Sequence, residues 1–465
     1  MIALSLAQVA SIVGGRVDGD PGVVVRGPAF LDSRSVVEQG LFVAFAGERV
    51  DGHEYAARAV AGGAAAALVS RPVGVPAVVV ADVQAALHAL AAEVLRRVRR
   101  SNPALRVVAI TGSQGKTSVK DLLAALLSDG GPTVATAGSF NNELGLPLTV
   151  LRLEEHTRHL VLEMGARGIG HISELCRVAP PDVALVLNVG KAHLGEFGSV
   201  QNIAQAKGEL VEALGPDGVA VLNADDPRVS AMSGRTSARV CTYGRHGSDV
   251  RVDAVELDDL ARPAVVLVHG DGRRRVQLHL LGEHQAINAA AAVAGGLACG
   301  RPFDRLVDAL ETVETLSPWR MELHERADGL VVLNDAYNAN PDSMRSALET
   351  LSAIGRRTGR RTVAVVGEMR ELGDTSGVEH RTVGTLTAEL GIDEVVVVGE
   401  GAREIVASAR AASFYASVAE AAAAVRDNVR GTDVVLVKAS RAAGLEQVAA
   451  VLEDRHRTDT EEGTA

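Results

Sequence analysis

Residues 106–118 read RVVAITGSQGKTS, and this stretch decides the fold because it sets a glycine-rich loop between two regular elements. The first five residues form a short, mainly apolar run, which predicts a buried strand. Apolar side chains then recur at helical spacing, namely Val119, Leu122, Leu123, Leu126 and Leu127. A strand, a loop with Gly-Lys-Thr and a helix in this order favour a phosphate-binding loop, whereas a short glycine-rich turn alone is often only a tight turn.

The loop supplies the groups that a polyphosphate needs. Its backbone N–H groups and the positive end of the following helix dipole attract phosphate. Lys116 can neutralise the terminal charge, and the Thr117 hydroxyl can bind magnesium. The residues predicted to bind the nucleotide here are Gly112, Ser113, Gln114, Gly115, Lys116, Thr117 and Ser118.

Length and alternation predict three α/β domains. At 465 residues the chain exceeds one ordinary core. Residues 1–104 mix short apolar runs with an alanine-rich helical pattern, which predicts a small N-terminal α/β domain. In residues 105–318 strands alternate with helices, which predicts a central P-loop-type ATPase domain with a mainly parallel sheet. Residues 319–465 repeat the alternation and predict a C-terminal Rossmann-like domain.

Composition favours a cytoplasmic protein. The formal net charge of −11 argues against a nucleic-acid partner. Cys176, Cys241 and Cys299 show no metal-ligand spacing and cannot all pair, which fits a reducing compartment. No apolar run is long enough to span a bilayer, and the first residues lack the basic segment of a signal peptide. We therefore expect no membrane insertion.

Two candidate metal ligands follow consecutive predicted strands. Glu163 ends the strand LVLEM, and His193 follows the strand VALVLNV. Because parallel strands place ligand-binding groups at their carboxyl ends, the two side chains are expected to converge near the phosphates and to bind a second magnesium ion. In the alternative reading, Glu163 caps a loop and His193 is a satisfied polar residue.

Lys207 falls in the middle of the apolar stripe of a predicted helix, SVQNIAQAKGELVEAL. A lysine there must extend its ammonium to solvent, pair with an anion or lose its charge. Carbamylation by carbon dioxide would make it an anion suited to holding magnesium. From spacing alone, extension to solvent is the favoured reading.

Further polar residues lie near the predicted junction of the second and third domains. His284 and Asn288 share one face of an alanine-rich helix, where they can contact a base or ribose or merely cap the helix. Asn338 belongs to a polar cluster that is also typical of a turn. Arg320 lies close to the interdomain linker, so it is expected to reach the nucleotide only when the domains close.

Taken together, these motifs resemble the Mur ligase family, the ATP-dependent enzymes that extend the peptide of the peptidoglycan precursor. The resemblance covers nearly the whole chain, and its remaining motifs are Asp32-Ser33-Arg34, GLFVAF (40–45), Asp51-Gly52-His53, FNNELGLP (140–147), AKGE (206–209), NDAYNANPDSM (334–344), GEMRELG (367–373) and KASRAAG (438–444). The AKGE, YNANP and GEMRELG runs favour the members that add D-alanyl-D-alanine. A tryptophan, Trp319, stands where the family usually has glycine.

The resemblance implies a reaction and a role for each site residue. ATP and Mg²⁺ would drive joining of UDP-N-acetylmuramoyl-tripeptide to D-alanyl-D-alanine by a cytoplasmic, monomeric ligase. Lys116 would bind the γ-phosphate, and Lys207 would be carbamylated. The metal ligands would be Thr117, Glu163, His193 and carbamylated Lys207. The ATP pocket would add His284, Asn288, Arg320 and Asn338. The substrate contacts would be Ser33 and Arg34 for the uridine nucleotide, Asn141 and Asn142 beside the γ-phosphate, and Lys438, Ser440 and Arg441 for the dipeptide.

Two rival functions stay open. The first is a sibling amide ligase, either one that adds a single amino acid or a folylpolyglutamate synthetase. The third domain lacks the Asp-Asn-Pro-Arg run associated with diaminopimelate addition, and the Asp-Ser-Arg run argues against the folate enzyme. The second is a non-catalytic nucleotide-binding switch, which has little use for the cluster of Lys116, Glu163, His193 and Lys207.

Overall fold

A computed structural model describes residues 1–47, 50–192, 194–314 and 317–453 of the chain. Within these ranges the strands form a two-stranded, a five-stranded, a six-stranded and a nine-stranded sheet. Helices pack against the larger sheets, so the predicted α/β class is confirmed. None of the described helices combines the length and apolarity required to cross a bilayer.

The N-terminal part holds the two smaller sheets. Its strands β1–β7 are Leu4–Ser5, Arg16–Asp18, Val24–Val25, Ala29–Phe30, Leu41–Val43, Ala66–Val69 and Ala77–Val79. Its helices α1–α3 are Leu6–Val13, Ala56–Ala61 and Val83–Ser101, and a 3-10 helix covers Gly52–Tyr55. Strand β1 pairs with β3, and the five-stranded sheet runs β2-β7-β6-β5-β4 with only β2 antiparallel to its neighbour.

The central part is built on the nine-stranded sheet. Strands β8–β16 are Arg106–Thr111, Thr133–Ala135, His159–Glu163, Val183–Val186, Val219–Asn223, Arg239–Gly244, Val250–Leu257, Pro263–His269 and Gly272–Gln277. Helices α4–α11 are Lys116–Ser128, Gly145–Val150, His171–Val178, Leu194–Phe197, Val200–Glu212, Pro227–Ser230, His284–Ala298 and Phe303–Leu310, and a 3-10 helix covers Ala231–Arg235.

The order of these strands places the phosphate loop at the middle of the sheet. The order is β16-β15-β14-β13-β12-β11-β8-β10-β9, and only the β14–β15 and β15–β16 pairs are antiparallel. Strand β8 lies between β11 and β10, with Glu163 paired to Ile110 and Val186 paired to Thr111. The three segments that follow β8, β10 and β11 therefore meet at one edge of a mainly parallel sheet, as predicted.

The C-terminal part is a second doubly wound unit. Strands β17–β22 are Glu322–Glu325, Val331–Asn334, Arg361–Val366, Glu394–Val398, Ala412–Tyr415 and Asp433–Lys438. Helices α12–α15 are Pro341–Thr358, Ser376–Glu389, Val418–Asn428 and Glu446–Glu453, and 3-10 helices cover Gly373–Thr375, Glu400–Ile405 and Arg441–Ala443. The sheet order is β17-β18-β22-β19-β20-β21, with only β17 antiparallel.

Helix α3 joins the first part of the chain to the second. Asp82 caps this helix by accepting hydrogen bonds from the backbone N–H groups of Gln84 and Ala85. The buried face of α3, which includes Leu87 and Leu90, belongs to a core cluster that continues into α5, α6 and the central sheet. The first sheet is thereby anchored beside the phosphate loop, while the limits 1–104, 105–318 and 319–465 stay predictions.

Candidate active site

A cleft of about 1280 Å³ opens at the carboxyl ends of the central strands and reaches the C-terminal sheet. It brings together most of the residues predicted to act. Those that line it are Ser113, Gln114, Gly115, Lys116, Thr117, Ser118, Asn141, Asn142, Glu163, His284, Asn288, Arg320, Asn338, Lys438, Ser440 and Arg441. Gln84, at the start of α3, lines the same cleft, so all three parts of the chain contribute to its wall.

The phosphate loop has the geometry that its glycines predict. Gly115 precedes α4 with φ of 79°, and a Cβ atom there would lie 2.8 Å from the Asn288 side-chain oxygen. The Lys116 ammonium donates to the Gly112 carbonyl at 2.8 Å. Burial lowers the pKa of Lys116, and Glu163 opposes this shift. The charge of Lys116 is therefore only partly balanced in the cleft, which favours an anionic ligand.

Asn188, which was not predicted as a site residue, follows β11 and stabilises the phosphate loop. Its side-chain oxygen accepts hydrogen bonds from the backbone N–H groups of Ser113 and Gln114, each at 2.9 Å. The Ser113 hydroxyl in turn accepts from the Gly190 N–H at 2.8 Å. Its position directly after an apolar strand was the signal that could have identified Asn188.

Glu163 is buried at the end of β10 and connects two other residues of the predicted site. Its carboxylate accepts hydrogen bonds from the Thr117 hydroxyl at 2.9 Å and from the Asn141 amide at 2.7 Å. Both hydrogen-bond donors are side chains of predicted site residues, and neither is a backbone N–H group of a loop. The loop-capping alternative thus finds no support among the described contacts. His193 lies outside the described residues.

Lys207 does not extend to solvent, so the reading favoured by spacing alone was wrong. The residue is 3% exposed, in the middle of the face of α8 that packs toward the central sheet. Burial lowers the pKa of Lys207 well below its usual value, and the nearby Lys116 charge adds to this shift. No hydrogen bond or ion pair joins its amino group to another described residue, so the surroundings favour the neutral amine over the ammonium.

The two residues after Lys207 fix the position of its helix. The guanidinium of Arg235 crosses α8 at Gly208 and donates to the Ala204 and Gln205 carbonyls at 3.1 and 2.9 Å. A Cβ atom at position 208 would overlap that guanidinium, so glycine is the residue that lets Arg235 lie in this position. The next residue, Glu209, accepts from backbone N–H groups at the start of α6.

Arg320 reaches the phosphate loop from the C-terminal side. It donates to the Thr117 hydroxyl at 3.0 Å, and its guanidinium carbon lies 4.2 Å from the centre of the Tyr337 ring. Its Nε atom is buried and has no hydrogen-bond partner among the described residues. This orphaned donor suits an acceptor on a ligand in the cleft.

The backbone around Arg320 explains how Trp319 is accommodated at a position where the family that the sequence resembles usually has glycine. Trp319 and Met321 have φ of 58° and 52°, a left-handed conformation that costs non-glycine residues on the order of 1–3 kcal/mol each. The N–H groups of these residues donate to the side chains of Glu322 and Asp335 at 3.0 and 3.1 Å. Trp319 therefore adopts the left-handed turn that a glycine would adopt at this position, and Arg320 still contacts Thr117.

The other predicted ATP-pocket residues come from the start of α10 and from the C-terminal part. His284 begins α10, and burial lowers its pKa to about 4, so the imidazole is neutral at pH 7. Asn288, one turn later, donates to Gln285 at 2.9 Å. The exposed Asn338 has a main-chain carbonyl that accepts from the Lys438 ammonium at 2.8 Å.

The residues predicted for the dipeptide differ in accessibility. Lys438 is 1% exposed and pairs with Asp335 at 2.6 Å, so it supports the cleft from beneath. Burial lowers the pKa of Lys438, and Asp335 partly offsets this shift. The hydroxyl of the buried Ser440 accepts from the Arg370 N–H at 2.9 Å. The side chain of Arg441 is 49% exposed, which makes it the most accessible of the three.

Ser33 and Arg34 are not brought into the cleft. They follow β4, and Arg34 pairs with Asp32 through hydrogen bonds of 2.7 to 3.2 Å. Arg34 holds the pKa of Asp32 down at about 2. Their contact with a uridine nucleotide stays a prediction.

Comparison with known proteins agrees with this arrangement. A family model described as the Mur ligase middle domain matches residues 110–296. The Mur ligase glutamate ligase domain matches residues 319–441, and the Mur ligase catalytic domain matches residues 30–111. The three matches follow one another along the chain and together contain the described walls of the cleft other than Ala442.

Relatives match over nearly the full length. The UDP-N-acetylmuramoyl-tripeptide–D-alanyl-D-alanine ligase of Mycobacterium tuberculosis is 44% identical, with 97% of this chain and 98% of that protein covered. The Escherichia coli ligase of the same name is 35% identical, with 98% and 99% covered. MurF from Acinetobacter baumannii has a TM-score of 0.86 at 33% identity, covering 97% of this chain and 99% of that one.

A nucleotide complex is among the similar structures. The MurF ligase from Thermotoga maritima in complex with ADP has a TM-score of 0.79 at 31% identity, covering 92% of this chain and 97% of that one. Its ADP accords with a phosphate loop, a buried carboxylate and an arginine that meet in one cleft. Sequence, fold and site geometry thus lead to one conclusion: the chain belongs to the Mur ligase family.

Proposed function

We propose that this chain uses ATP to join D-alanyl-D-alanine to UDP-N-acetylmuramoyl-tripeptide through an acyl phosphate. The observation that carries the proposal is the meeting of Lys116, Thr117, Glu163, Asn141 and Arg320 within hydrogen-bonding networks at one end of the central sheet. The names of relatives at 44% and 35% identity support the choice of both substrates.

The residues present fit a magnesium ion. The Thr117 hydroxyl and the Glu163 carboxylate are hard oxygen donors that already lie 2.9 Å apart beside the phosphate loop. No cluster of three acidic, histidine or cysteine side chains exists in the described part of the chain. That pattern suits magnesium, which commonly takes one or two protein oxygens and completes its shell with phosphate and water. Bound there, the ion neutralises charge on the phosphates.

The first step forms the acyl phosphate. A carboxylate oxygen of the tripeptide attacks the γ-phosphorus, the bond from that phosphorus to the bridging oxygen breaks, and ADP leaves. Lys116 holds the γ-phosphate, and Arg320 supplies charge from the opposite wall. Asn141, held by Glu163 at 2.7 Å, orients the substrate carboxylate beside that phosphate. The ATP adenosine is assigned to the wall formed by His284, Asn288 and Asn338.

Carbamylation of Lys207 belongs to the same proposal. Carbon dioxide reacts with a neutral amine, and burial, which lowers the pKa of Lys207, favours that form. The resulting carbamate would be an anion next to Lys116, where it offsets the lysine charge and provides oxygen donors to the metal site. His193, which lies outside the described residues, is assigned to the second metal by its place after a predicted strand and by the family resemblance.

The second step forms the amide. The free amine of the dipeptide attacks the acyl carbon, the tetrahedral intermediate expels phosphate, and the nitrogen loses a proton. Water competes for the same acyl phosphate, so exclusion of water from the cleft limits wasteful hydrolysis. Ser440 and Arg441 lie on the wall from which the dipeptide would enter.

The test measures phosphate release and product mass with ATP, magnesium and UDP-N-acetylmuramoyl-tripeptide. D-alanyl-D-alanine is added in one reaction and a single amino acid in another. Product formed only with the dipeptide is the expected result, and Lys116→Ala should abolish it while the circular dichroism spectrum is retained. Product with a single amino acid would assign the chain to a sibling ligase, and ATP binding without turnover would indicate a nucleotide-binding switch.

A further inference from the structure

Trp319 is the single tryptophan of the chain and occupies an unfavourable backbone position. Its φ of 58° is a conformation that glycine adopts freely and that larger side chains avoid. The guanidinium carbon of Arg441 lies 4.2 Å from the centre of its ring. This distance is well within the range of a cation–π interaction, so the tryptophan holds a cation that a glycine could not hold.

Arg441 offers free donors to the cleft that it lines. Its side chain is 49% exposed, and its guanidinium forms an ion pair with Glu446 at 2.6 Å. No hydrogen bond from this guanidinium to another described residue is present. Because a guanidinium carries five N–H donors, its edge can bind a carboxylate in a bidentate manner. The tryptophan ring contacts the face of the group, Glu446 takes up the Nη1 side, and the remaining N–H donors have no hydrogen-bond partner among the described residues.

The other cations on this wall already have hydrogen-bonded partners. Lys438 donates to Asp335, and Arg320 donates to Thr117. Arg370 donates to Glu368 at 3.1 Å. Arg441 pairs with Glu446, but among the described cations of this wall it combines a side chain that is 49% exposed with a fixed position against an aromatic ring. A dipeptide that attacks through its amine brings an anion for this cation, its terminal carboxylate.

We propose that Trp319 is a positioning residue for the acceptor dipeptide, because its ring fixes Arg441 where the terminal carboxylate of D-alanyl-D-alanine arrives. The proposal rests on the proposed function. It also concerns specificity, since the carboxylate of a single amino acid lies about 3.8 Å nearer to the attacking amine, one Cα–Cα step. An Arg441 side chain held by the tryptophan ring cannot move to the nearer carboxylate of a single amino acid, whereas a mobile Arg441 can.

The test compares Michaelis constants for all three substrates in matched variants. Trp319→Leu keeps a side chain on the left-handed backbone and removes the aromatic face, while Trp319→Phe keeps a smaller aromatic face. The matched control is Phe414→Leu, which removes a second stack, Arg403 over Phe414 at 3.9 Å, outside the described lining of the cleft. We expect Trp319→Leu to raise KM for the dipeptide about tenfold, Trp319→Phe to raise it less, and Phe414→Leu to leave it unchanged.

A double-mutant cycle identifies the route of the effect. If Trp319 acts through Arg441, then adding Trp319→Leu to Arg441→Ala should raise the dipeptide KM less than twofold further. An unchanged dipeptide KM in Trp319→Leu would overturn the proposal, as would an equal rise in KM for ATP and UDP-N-acetylmuramoyl-tripeptide. Absence of product from the wild-type enzyme would overturn the proposed function and the dipeptide site with it. Product from wild type with full additivity in the cycle would overturn only the role of Trp319.

Discussion

Lys207 shows at the scale of one residue how a functional site opposes stability. Its amine is buried without a hydrogen-bonded partner in the described part of the chain, and its pKa is lowered well below the usual value. Because the pKa of Lys207 is lower in the folded chain than in the unfolded chain, the unfolded chain binds protons more readily there, and this residue destabilises the fold increasingly as pH falls from the usual lysine pKa. An apolar side chain of similar length avoids this penalty.

We therefore predict that Lys207→Met stabilises the protein while it abolishes ligase activity. In buffer depleted of carbon dioxide and magnesium at pH 7, the variant should gain about 2 kcal/mol in free energy of unfolding, measured by urea denaturation. Added bicarbonate and magnesium should stabilise the wild type and leave the variant unchanged. A variant that is less stable than wild type in depleted buffer would contradict this account of the buried amine.

His284 gives a second prediction, on pH dependence. Burial lowers its pKa to about 4 from 6.5, so the folded protein binds fewer protons at this position than the unfolded chain between those values. Stability from this residue is complete above pH 6.5 and is lost as pH falls toward 4, by on the order of 3 kcal/mol. We predict that His284→Gln flattens the dependence of unfolding free energy on pH in this window.

His159 provides the matched control for that prediction. Its pKa is also lowered to about 4, mainly by burial, but it begins β10 at the opposite end from Glu163 and does not belong to the described lining of the cleft. His159→Gln should flatten the same pH window, yet only His284→Gln should raise KM for ATP. Equal effects of both variants on KM would remove His284 from the nucleotide wall.

At the scale of elements, the AKGE run links two helices that border the cleft. Glu209, on α8, accepts hydrogen bonds from the Gly170 and Ser173 N–H groups at 2.5 and 3.0 Å and so caps α6. Arg167 and His171, at this helix start, line the cleft. A carboxylate at a helix N-terminus satisfies orphan donors and complements the helix dipole. Glu209 thus connects the helix that carries Lys207 to the start of α6, where the chain lines the cleft.

We predict that Glu209→Ala destabilises the protein by about 1–2 kcal/mol and raises KM for the UDP-linked tripeptide several-fold. Hydrogen exchange of His171–Val178 should increase, because the first turn of α6 loses its cap. Glu212→Ala removes another acid from α8, one that is 45% exposed and paired with Arg235, and should change both quantities less. Equal effects of the two substitutions would argue against a specific capping role.

The same elements explain what was predictable from the sequence. Strand ends and a glycine-rich loop are local patterns, so the phosphate loop and the placement of Glu163 followed from periodicity and strand order. The burial of Lys207 did not, because it depends on how tightly α8 packs on a sheet whose strands are distant in sequence. The left-handed turn at Trp319 was not predicted either, since the hydrogen bonds to Glu322 and Asp335 that accompany it depend on the folded structure.

At the scale of the whole molecule, the central and C-terminal parts meet through small residues and ion pairs. Lys191 pairs with Glu379 at 2.7 Å, and its N–H donates to Asp342 at 3.0 Å. The Gly195 N–H donates to the Glu371 carbonyl at 3.1 Å. These contacts hold the C-terminal wall against the segment after β11, in the same arrangement that lets Arg320 reach Thr117.

At Gly195 the central part lies so close to the C-terminal part that a side chain would not fit between them. A substitution at this position therefore tests whether closure of the two parts is required for catalysis. A Cβ atom at Gly195 would lie 2.5 Å from the Gly373 nitrogen, whereas one at Gly215 would meet nothing within 4 Å. We predict that Gly195→Ala lowers kcat at least tenfold and also weakens ATP binding, because Arg320 can no longer complete the phosphate site. Gly215→Ala should behave as wild type.

Small-angle X-ray scattering distinguishes closure from a purely chemical defect. With nucleotide and UDP-linked substrate bound, the wild type should become more compact, and Gly195→Ala should keep a larger radius of gyration. The open cleft should also admit water, so the variant should hydrolyse more ATP per amide formed. If wild type scatters identically with and without ligands, or if Gly195→Ala retains full coupling of ATP use to product, closure is not the step that protects the acyl phosphate.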